Sequence, residues 1–230
     1  MWGYKMIRKI KGADFGYFLK LSPCFFSLLP AYLFIFFTEK ERKEFKNFRS
    51  RKRKIQFIGG RIVAKFALRK YLKKRGKKAG YKKIEIRKRE NGQVYAFCEK
   101  IGEIPLSISH TDNICAAVCG DFKKVGLDIE RLSRDIKRIE KKVFCEEEIE
   151  KLKGFPLSIL WCVKESVSKL LGTGFIHSPK DIFIYKTEGE KFKVRLRGKF
   201  LSLFPEFKDR EIEVKLWKGT GYVFAFCFLD

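Results

Sequence analysis

The sequence is poor in the residues that bind transition metals. It contains two histidines in 230 residues, and its seven cysteines are scattered without a Cys-x-x-Cys pair. Most of the cysteines lie in apolar runs, where a free thiol behaves as a small hydrophobic side chain. This usage argues against a zinc site, and it fits a reducing, cytoplasmic setting.

An uninterrupted membrane-spanning run is also missing. Residues 21–37 are apolar and follow a basic N-terminus, but Pro23 and Pro30 interrupt them. A spanning helix needs ~20 apolar residues, and a signal peptide needs a small-residue cleavage site that this segment lacks. We therefore expect no membrane span, and we interpret residues 21–37 as a buried strand or loop that leads into a helix.

Acidic residues are few, with 27 Asp and Glu against 52 Lys and Arg, which gives a net charge of +25. The excess indicates an anionic partner, and charge alone leaves nucleic acid, a membrane surface, nucleotides and an acidic protein open. A general preference for lysine would give the same excess. The 24 phenylalanines and the 45% hydrophobic content predict a folded protein with one large domain or two small ones.

Local patterns predict helices followed by antiparallel strands in each half, and no internal repeat is evident. Thr38 and Glu41 form a capping box before the first of two helices that join near residues 49–53. A loop over 73–83 precedes strands at 84–87, 94–97, 106–109 and 114–119, with an Asn91-Gly92 turn. Further helices are predicted over 133–144, 146–153 and 158–171, the last ended by Gly172, before strands at 182–186, 192–196, 211–218 and 222–228.

The segment Val125–Glu130 is predicted to be a strand that carries two carboxylates. Successive strand side chains alternate between faces, so Asp128 and Glu130 project together while Leu127 and Ile129 point the other way. A solvated strand edge would give the same pattern, and this alternative stays open at this point.

The helix over 158–171 adds a third carboxylate and a lysine. Residues four apart are neighbours on a helix, so Glu165 lies one turn from Lys169 on the same face. Neighbouring carboxylates repel each other, and a cation relieves that repulsion. Because Mg²⁺ is held by few carboxylates together with water and phosphate, we predict Asp128, Glu130 and Glu165 as its ligands.

Other residues of the same region are interpreted as structural. Lys164 lies off the face that Glu165 and Lys169 share, and we predict that it forms an ion pair on the surface. Trp161 is interpreted as packing that fixes the helix. His177 has no partner motif and is interpreted as a loop residue.

Together these motifs resemble those of the 4′-phosphopantetheinyl transferases. The resemblance lies in Gly126–Glu130, in Trp161-x-x-Lys-Glu-Ser through to Lys169, in Phe144-Cys145-x-x-Glu148, and in Ser107–His110, which is similar to an Asn-Ile-Ser-His segment. Each motif alone is weak, but both main motifs in order, about thirty residues apart, form a strong signal. The length is similar to that of the longer, pseudo-dimeric surfactin-synthetase type rather than the short trimeric holo-ACP synthase type.

The resemblance implies an α+β fold with two similar α/β subdomains in a pseudo-twofold arrangement, each with antiparallel sheets and packed helices. The subdomains would span residues 1–120, of which 1–37 are poorly assigned, and 121–230, with the metal site at their junction. The implied reaction moves phosphopantetheine from coenzyme A to a serine of an acidic apo carrier protein, as in fatty acid biosynthesis, and releases 3′,5′-ADP. Mg²⁺ is the implied cofactor.

The resemblance also implies residue roles. Glu165 would accept the serine proton, and Lys169 would neutralise the leaving phosphate. Coenzyme A would be bound by four residues of the first half: Lys40, Lys43, Ser109 and His110. For the two lysines a solvated basic face is the open alternative.

Three departures from the family pattern concern nucleotide contacts. Asn91-Gly92-Gln93-Val94 replaces an Asn-Gly-Lys-Pro turn, and so lacks the lysine and proline that help hold the adenine end of coenzyme A. Thr173 stands where a lysine or arginine is common, and Gln56 where an arginine is usual.

Two other functions remain as alternatives at this level. A Mg²⁺-dependent nuclease, or another nucleic-acid-binding protein, would use the same acids and the positive charge. Against it, nuclease lysines usually lie on a strand close to their acids, whereas Lys169 is predicted on a helix, so we expect no nucleic-acid partner. A basic membrane-surface protein would leave Asp128, Glu130 and Glu165 unexplained.

Overall fold

The computed structural model describes residues 7–21, 35–219 and 221–230. The chain divides into two compact units, the first ending at Lys123 and including Asp230, the second spanning residues 124–229. Each unit packs helices on an antiparallel sheet, so the predicted α+β class with two antiparallel sheets is confirmed. The predicted boundary between residues 120 and 121 lies three residues before this division. The pseudo-twofold arrangement and the placement of the metal site at the junction stay predictions.

The first unit contains a six-stranded sheet in the order β1-β2-β6-β5-β4-β3. A short 3-10 turn over Tyr81–Lys83 leads into β3. The helices are α1 (Glu39–Asn47) and α2 (Arg51–Lys74), and the strands are β1 (Ile7–Lys9), β2 (Gly16–Lys20), β3 (Glu85–Lys88), β4 (Val94–Cys98), β5 (Gly102–Thr111) and β6 (Ile114–Cys119).

The predicted local signals of this unit are confirmed at three places. The Thr38 hydroxyl accepts from the Glu41 amide and the Glu41 carboxylate accepts from the Thr38 amide, which completes the capping box of α1. Ser50 caps α2, and the two helices join at residues 48–50, which overlap the predicted stretch 49–53. Gly92 has φ of 85° in the turn between β3 and β4, a backbone conformation that glycine adopts without steric cost.

The second unit contains a five-stranded sheet in the order β7-β11-β10-β9-β8. Helix α5 packs on β7, and Gly172 ends it in the left-handed conformation with φ of 76°, as predicted. The helices are α3 (Glu140–Val143), α4 (Glu146–Lys151), α5 (Leu157–Leu171) and α6 (Gly198–Leu203), and the strands are β7 (Lys124–Arg131), β8 (Ile182–Glu188), β9 (Lys191–Leu196), β10 (Ile212–Gly219) and β11 (Tyr222–Leu229).

The sequence-based assignment was wrong or incomplete in some segments. The helix predicted over 133–144 is reduced to a 3-10 turn and the four residues of α3. This charged segment buries few side chains, among them Ile136 and Val143. It therefore lacks the continuous apolar face that would stabilise a longer helix by packing. Strands β1 and β2 and helix α6 were missed.

The apolar segment 21–37 falls mostly outside the described residues. Its two ends, Leu21 and Phe37, are described and lie in the core of the first unit. Within the described ranges, no helix is both long enough and apolar enough to cross a membrane.

The two units share one topology. In each unit one strand, β2 or β7, is followed by a long helix and then by two hairpins. The sheet orders β2-β6-β5-β4-β3 and β7-β11-β10-β9-β8 correspond strand by strand. Strand β1 is an addition at the edge of the first sheet. The prediction of two similar subdomains is therefore confirmed, although no repeat was evident in the sequence.

A buried lysine–glutamate pair holds the long helix of the second unit. Lys164 and Glu148 are both fully buried, with Lys164 Nζ 2.7 Å from Glu148 Oε1. Lys164 Nζ also donates to the carbonyls of Ile182 and Pro179, while Glu148 accepts from the Ile184 amide. The prediction that Lys164 pairs on the surface was wrong, because its ammonium group is fully buried and is satisfied by Glu148 and two backbone carbonyls.

The first unit repeats this arrangement on its own long helix. Lys65 Nζ lies 2.5 Å from Glu41 Oε2 and donates to the carbonyls of Phe36 and Tyr81. Glu41 and Glu148 each occupy the third position of a capping box, in Phe37-Thr38-x-x-Glu41 and in Phe144-Cys145-x-x-Glu148. In both units one glutamate thus caps a short helix and neutralises a lysine of the long helix.

We predict that Glu148→Ala lowers the free energy of unfolding by about 3–5 kcal/mol, because it leaves the Lys164 ammonium buried without a counter-charge. Denaturant unfolding measures the change. Glu147→Ala is the matched control, because the neighbouring Glu147 makes only exposed ion pairs with Lys151 and Arg197. Equal losses in the two variants would contradict a special role for the buried pair.

Candidate active site

The acids of strand β7 lie side by side and are buried. Asp128 is 6% exposed and Glu130 is 4% exposed. Asp128 Oδ1 accepts from Lys169 Nζ at 2.6 Å, and Glu130 forms an ion pair with Arg134. The structure therefore rules out a solvated strand edge, and each acid has a cation beside it.

Close packing of α5 on β7 brings the helix residues to these acids. A Cβ atom added to Gly126 would lie 2.0 Å from the Ser166 carbonyl oxygen and 2.6 Å from the Leu170 amide nitrogen. Only glycine leaves room for this contact between the two backbones. Gly126 therefore sets the distance at which Glu165 and Lys169 meet Asp128.

Glu165 has an unusual protonation equilibrium. Burial, and next the charge of Asp128, raise the pKa of Glu165 from 4.5 to about 7, while Lys169 and Arg134 act in the opposite direction. Burial lowers the pKa of Lys169, but the carboxylates of Asp128 and Glu165 outweigh it, and the net pKa is raised. Near neutral pH Glu165 can therefore accept or release a proton, while Lys169 stays charged.

The donor set suits a hard divalent cation, although it does not form a complete cage. In the ranges that the structure describes, no group of three or more His, Cys, Asp or Glu side chains is arranged closely enough to hold a metal ion. Mg²⁺ commonly takes one or two carboxylates and fills its other positions with water and phosphate oxygens. Asp128, Glu130 and Glu165 offer such oxygens. Burial is the main cause of the raised pKa of Glu165, and a cation would relieve the second cause, the charge of Asp128.

The remaining predicted residues belong to the first unit. Lys40 and Lys43 lie exposed on α1. Ser109 is buried and His110 exposed, next to each other on β5. Their role in binding coenzyme A stays a prediction.

Sequence reasoning missed Arg134, the ion-pair partner of Glu130. The available signal was a basic residue four positions after the acid, just beyond the end of β7.

Sequence reasoning also missed Cys162, which lies on the buried side of α5 near Asp128. Burial first, and then Asp128, raise the pKa of the Cys162 thiol well above its ordinary value. The thiol therefore stays protonated and serves as packing.

Comparison with known families concerns the unit that holds these acids. A family model of the 4′-phosphopantetheinyl transferase superfamily matches residues 124–227. The matched segment makes up less than half of the chain, and it is similar to that superfamily. It contains β7 and α5, and with them Asp128, Glu130, Glu165 and Lys169.

Individual members of the superfamily resemble parts of the chain. The holo-[acyl-carrier-protein] synthase of Bacillus subtilis is 39% identical over 71 residues, which are 30% of this chain and 59% of that protein. The chain therefore matches about three fifths of the length of this curated relative.

Two solved structures are also similar. The acyl carrier protein synthase of Mycobacterium tuberculosis has 22% identity and a TM-score of 0.37, covering 48% of this chain and 98% of the other. The holo-[acyl-carrier-protein] synthase of Thermotoga maritima has 20% identity and a TM-score of 0.36, covering 48% of this chain and 64% of the other.

We predict that Gly126→Ala lowers the free energy of unfolding by about 1–3 kcal/mol or more, since the methyl group forces α5 away from β7. It should also return the pKa of Glu165 towards 4.5, because both burial and the proximity of Asp128 decrease. Thermal unfolding and NMR titration of the carboxylate measure the two effects. Gly219→Ala is the control, because the nearest atom to its added Cβ lies 3.4 Å away. A Gly126→Ala protein as stable as this control would disprove the close contact.

We predict that Glu165→Gln stabilises the metal-free protein at pH 8 but not at pH 4. The pKa of Glu165 is raised in the folded state, so between pH 4.5 and pH 7 the folded state binds more protons than the unfolded state. Stability from this group is therefore present at low pH and is lost as the pH rises through that window. The gain at pH 8 should be about 1–3 kcal/mol, measured by urea unfolding in EDTA. A gain that does not depend on pH would contradict the prediction.

Proposed function

We propose that the protein transfers 4′-phosphopantetheine from coenzyme A to a serine hydroxyl of an apo carrier protein and releases 3′,5′-ADP. The observation that carries the proposal is the cluster of Asp128, Glu165 and Lys169, in which a carboxyl group with a pKa of about 7 lies beside a charged lysine. Its location inside the segment that is similar to the transferase superfamily supports this reaction over others.

Asp128, Glu130 and Glu165 would hold Mg²⁺. When bound, the ion would neutralise charge on the pyrophosphate of coenzyme A. Arg134 pairs with Glu130, so it would limit the negative charge of the site before the ion arrives.

The side chains account for the proton and the charge of the reaction. Glu165 accepts the proton of the serine hydroxyl, and the serine oxygen attacks the phosphorus that carries the pantetheine group. The bond between that phosphorus and the bridging oxygen breaks, and 3′,5′-ADP leaves with the bridging oxygen. Lys169, whose ammonium lies 2.6 Å from Asp128, would stabilise the charge on the leaving phosphate.

The partners follow from charge and from the relatives. A net charge of +25 would attract both an acidic carrier protein and the phosphates of coenzyme A. Lys40, Lys43, Ser109 and His110 are the proposed contacts of coenzyme A. Since the curated relative is a holo-[acyl-carrier-protein] synthase, we propose an acyl carrier protein as the acceptor, with a place in cytoplasmic fatty acid biosynthesis. The position of Lys169 on helix α5 argues against the nuclease alternative.

The test incubates the protein with coenzyme A, Mg²⁺ and an apo acyl carrier protein and looks for the mass gain of one phosphopantetheine. We predict that Asp128→Ala and Glu165→Ala abolish the gain. Lys169→Ala should slow transfer by about 10²–10⁴-fold while carrier binding changes less, because its charge acts on the leaving group. Circular dichroism should show all three variants folded.

The control is Glu147→Ala, an exposed acid of α4 whose loss should leave the rate unchanged. Full activity of Asp128→Ala or Glu165→Ala would disprove the site. Full activity in EDTA would disprove the metal. Absence of any transfer by the unmodified protein to acyl and peptidyl carrier proteins alike would disprove the function.

A further inference from the structure

The first unit contains a cavity with a strongly basic lining. It has a volume of about 510 Å³ and lies between the last turns of α2 and the segment 77–81. Five cationic side chains line it: Arg69, Lys70, Lys73, Lys77 and Lys78. Its volume falls in the range of ~300–1,000 Å³ that is typical of small-molecule sites.

These cations lack the acidic partners that other surface cations of the protein have. Arg89 pairs with Glu103, and Lys151 with Glu147. In the part of the chain that the structure describes, Arg69, Lys70, Lys73 and Lys78 have no carboxylate within ion-pair distance, and Lys77 donates to the carbonyl of Lys100. Lys73 lies in the last turn of α2, where the negative end of the helix dipole stabilises a positive charge. Arg69 and Lys70 lie a turn earlier, where this stabilisation is weaker.

Two aromatic rings of the cavity wall orient the cations. The Arg69 guanidinium lies 4.3 Å from the centroid of the Tyr81 ring, and Lys70 Nζ lies 5.4 Å from the centroid of the Phe66 ring. Such contacts favour a cation above an aromatic face and reduce the freedom of its long side chain. Arg69 and Lys70 are therefore held at the cavity before any ligand binds.

The helix side of this cavity corresponds to the helix side of the candidate active site. The buried lysines Lys65 and Lys164 occupy equivalent positions on the two long helices. The next residue is Phe66 in the first unit and Glu165 in the second, so these two also correspond. By the same count, Lys70 corresponds to Lys169. The cavity thus keeps the lysine of the acidic site, but a phenylalanine replaces its glutamate.

The strand side has changed in the same sense. Strand β6 of the first sheet corresponds to β11 of the second. Tyr17 of β2 pairs with Ala117 of β6, and Asp128 of β7 pairs with Ala225 of β11, so Tyr17 occupies the position of Asp128. Leu19 likewise stands in the place of Glu130. The Tyr17 and Phe66 rings meet edge to face with centroids 5.0 Å apart, where the second unit has Asp128 near Glu165. The positions that correspond to Asp128, Glu130 and Glu165 are therefore occupied by Tyr17, Leu19 and Phe66, which cannot hold a metal ion.

We propose that this cavity binds a small molecule with two or more phosphate groups, without a metal ion. Five cations in a lining that contains no acid fit a polyanion, and charge-assisted hydrogen bonds from lysine and arginine to phosphate are strong. No carboxylate that could hold Mg²⁺ is among its lining residues. The site does not depend on the transferase activity, because it lies wholly within the first unit.

The test is calorimetric titration of the full-length protein with inorganic pyrophosphate, in EDTA and ~150 mM salt, where screening weakens contacts with isolated surface charges. We predict that the double variant Arg69→Gln/Lys73→Gln weakens binding by about tenfold or more. The matched control is Lys141→Gln/Lys142→Gln, which removes the same charge from exposed positions of α3 and should leave the affinity within about twofold of wild type.

Lys169→Gln separates this cavity from the candidate active site and should leave pyrophosphate binding in EDTA intact. Three results would overturn the proposal: no binding of pyrophosphate at millimolar concentration, equal losses in the double variant and its control, or a loss only in Lys169→Gln. A single-stranded oligonucleotide that binds through these cations while pyrophosphate does not would also overturn it and indicate a nucleic-acid surface. The mass-gain assay is unaffected by these results, so the two proposals fail separately.

Discussion

The fully buried ion pair between Lys164 and Glu148 determines how the second unit is built. A lysine ammonium in the core is tolerated only with full hydrogen bonding, and here Glu148, Ile182 and Pro179 supply it. Glu148 at the same time caps α4 and binds the amide of Ile184 on β8. One carboxylate therefore joins a short helix, the long helix and an edge strand, and it fixes the rotation of α5. With that rotation fixed, the next residue, Glu165, faces Asp128.

The repetition of this pair in the first unit separates structural residues from chemical ones. Glu41 and Lys65 reproduce the ion pair and the capping box of Glu148 and Lys164. Each lysine also donates to a carbonyl of the 3-10 turn that precedes an edge strand, Tyr81 before β3 and Pro179 before β8. The acids Asp128 and Glu165 are not repeated, since Tyr17 and Phe66 stand in their places. Both units thus share the residues that hold the long helix, whereas Asp128 and Glu165 of the second unit have aromatic residues as their counterparts in the first.

The candidate active site concentrates charge that the folded protein must tolerate. The close contact at Gly126 packs α5 on β7. Burial, and next the charge of Asp128, raise the pKa of Glu165 to about 7, and Lys169 and Arg134 offset this rise only in part. Such a site is costly for stability and useful for proton transfer at neutral pH. The cationic cavity of the first unit carries the opposite charge, and no carboxylate is among its lining residues.

The sequence by itself determined most of the turns and caps and the spacing of the acids. The alternation of strand side chains placed Asp128 and Glu130 on one side of β7, and the four-residue spacing placed Glu165 beside Lys169. Thr38, Asn91-Gly92 and Gly172 marked caps and a turn. Each of these features depends on neighbouring residues alone. Tertiary structure decided what depends on distant contacts. It buried Lys164, shortened the helix predicted over 133–144, and revealed the duplicated frame of Glu41 and Lys65. It also raised the pKa of Glu165, since burial and proximity to Asp128 exist only after α5 packs on β7.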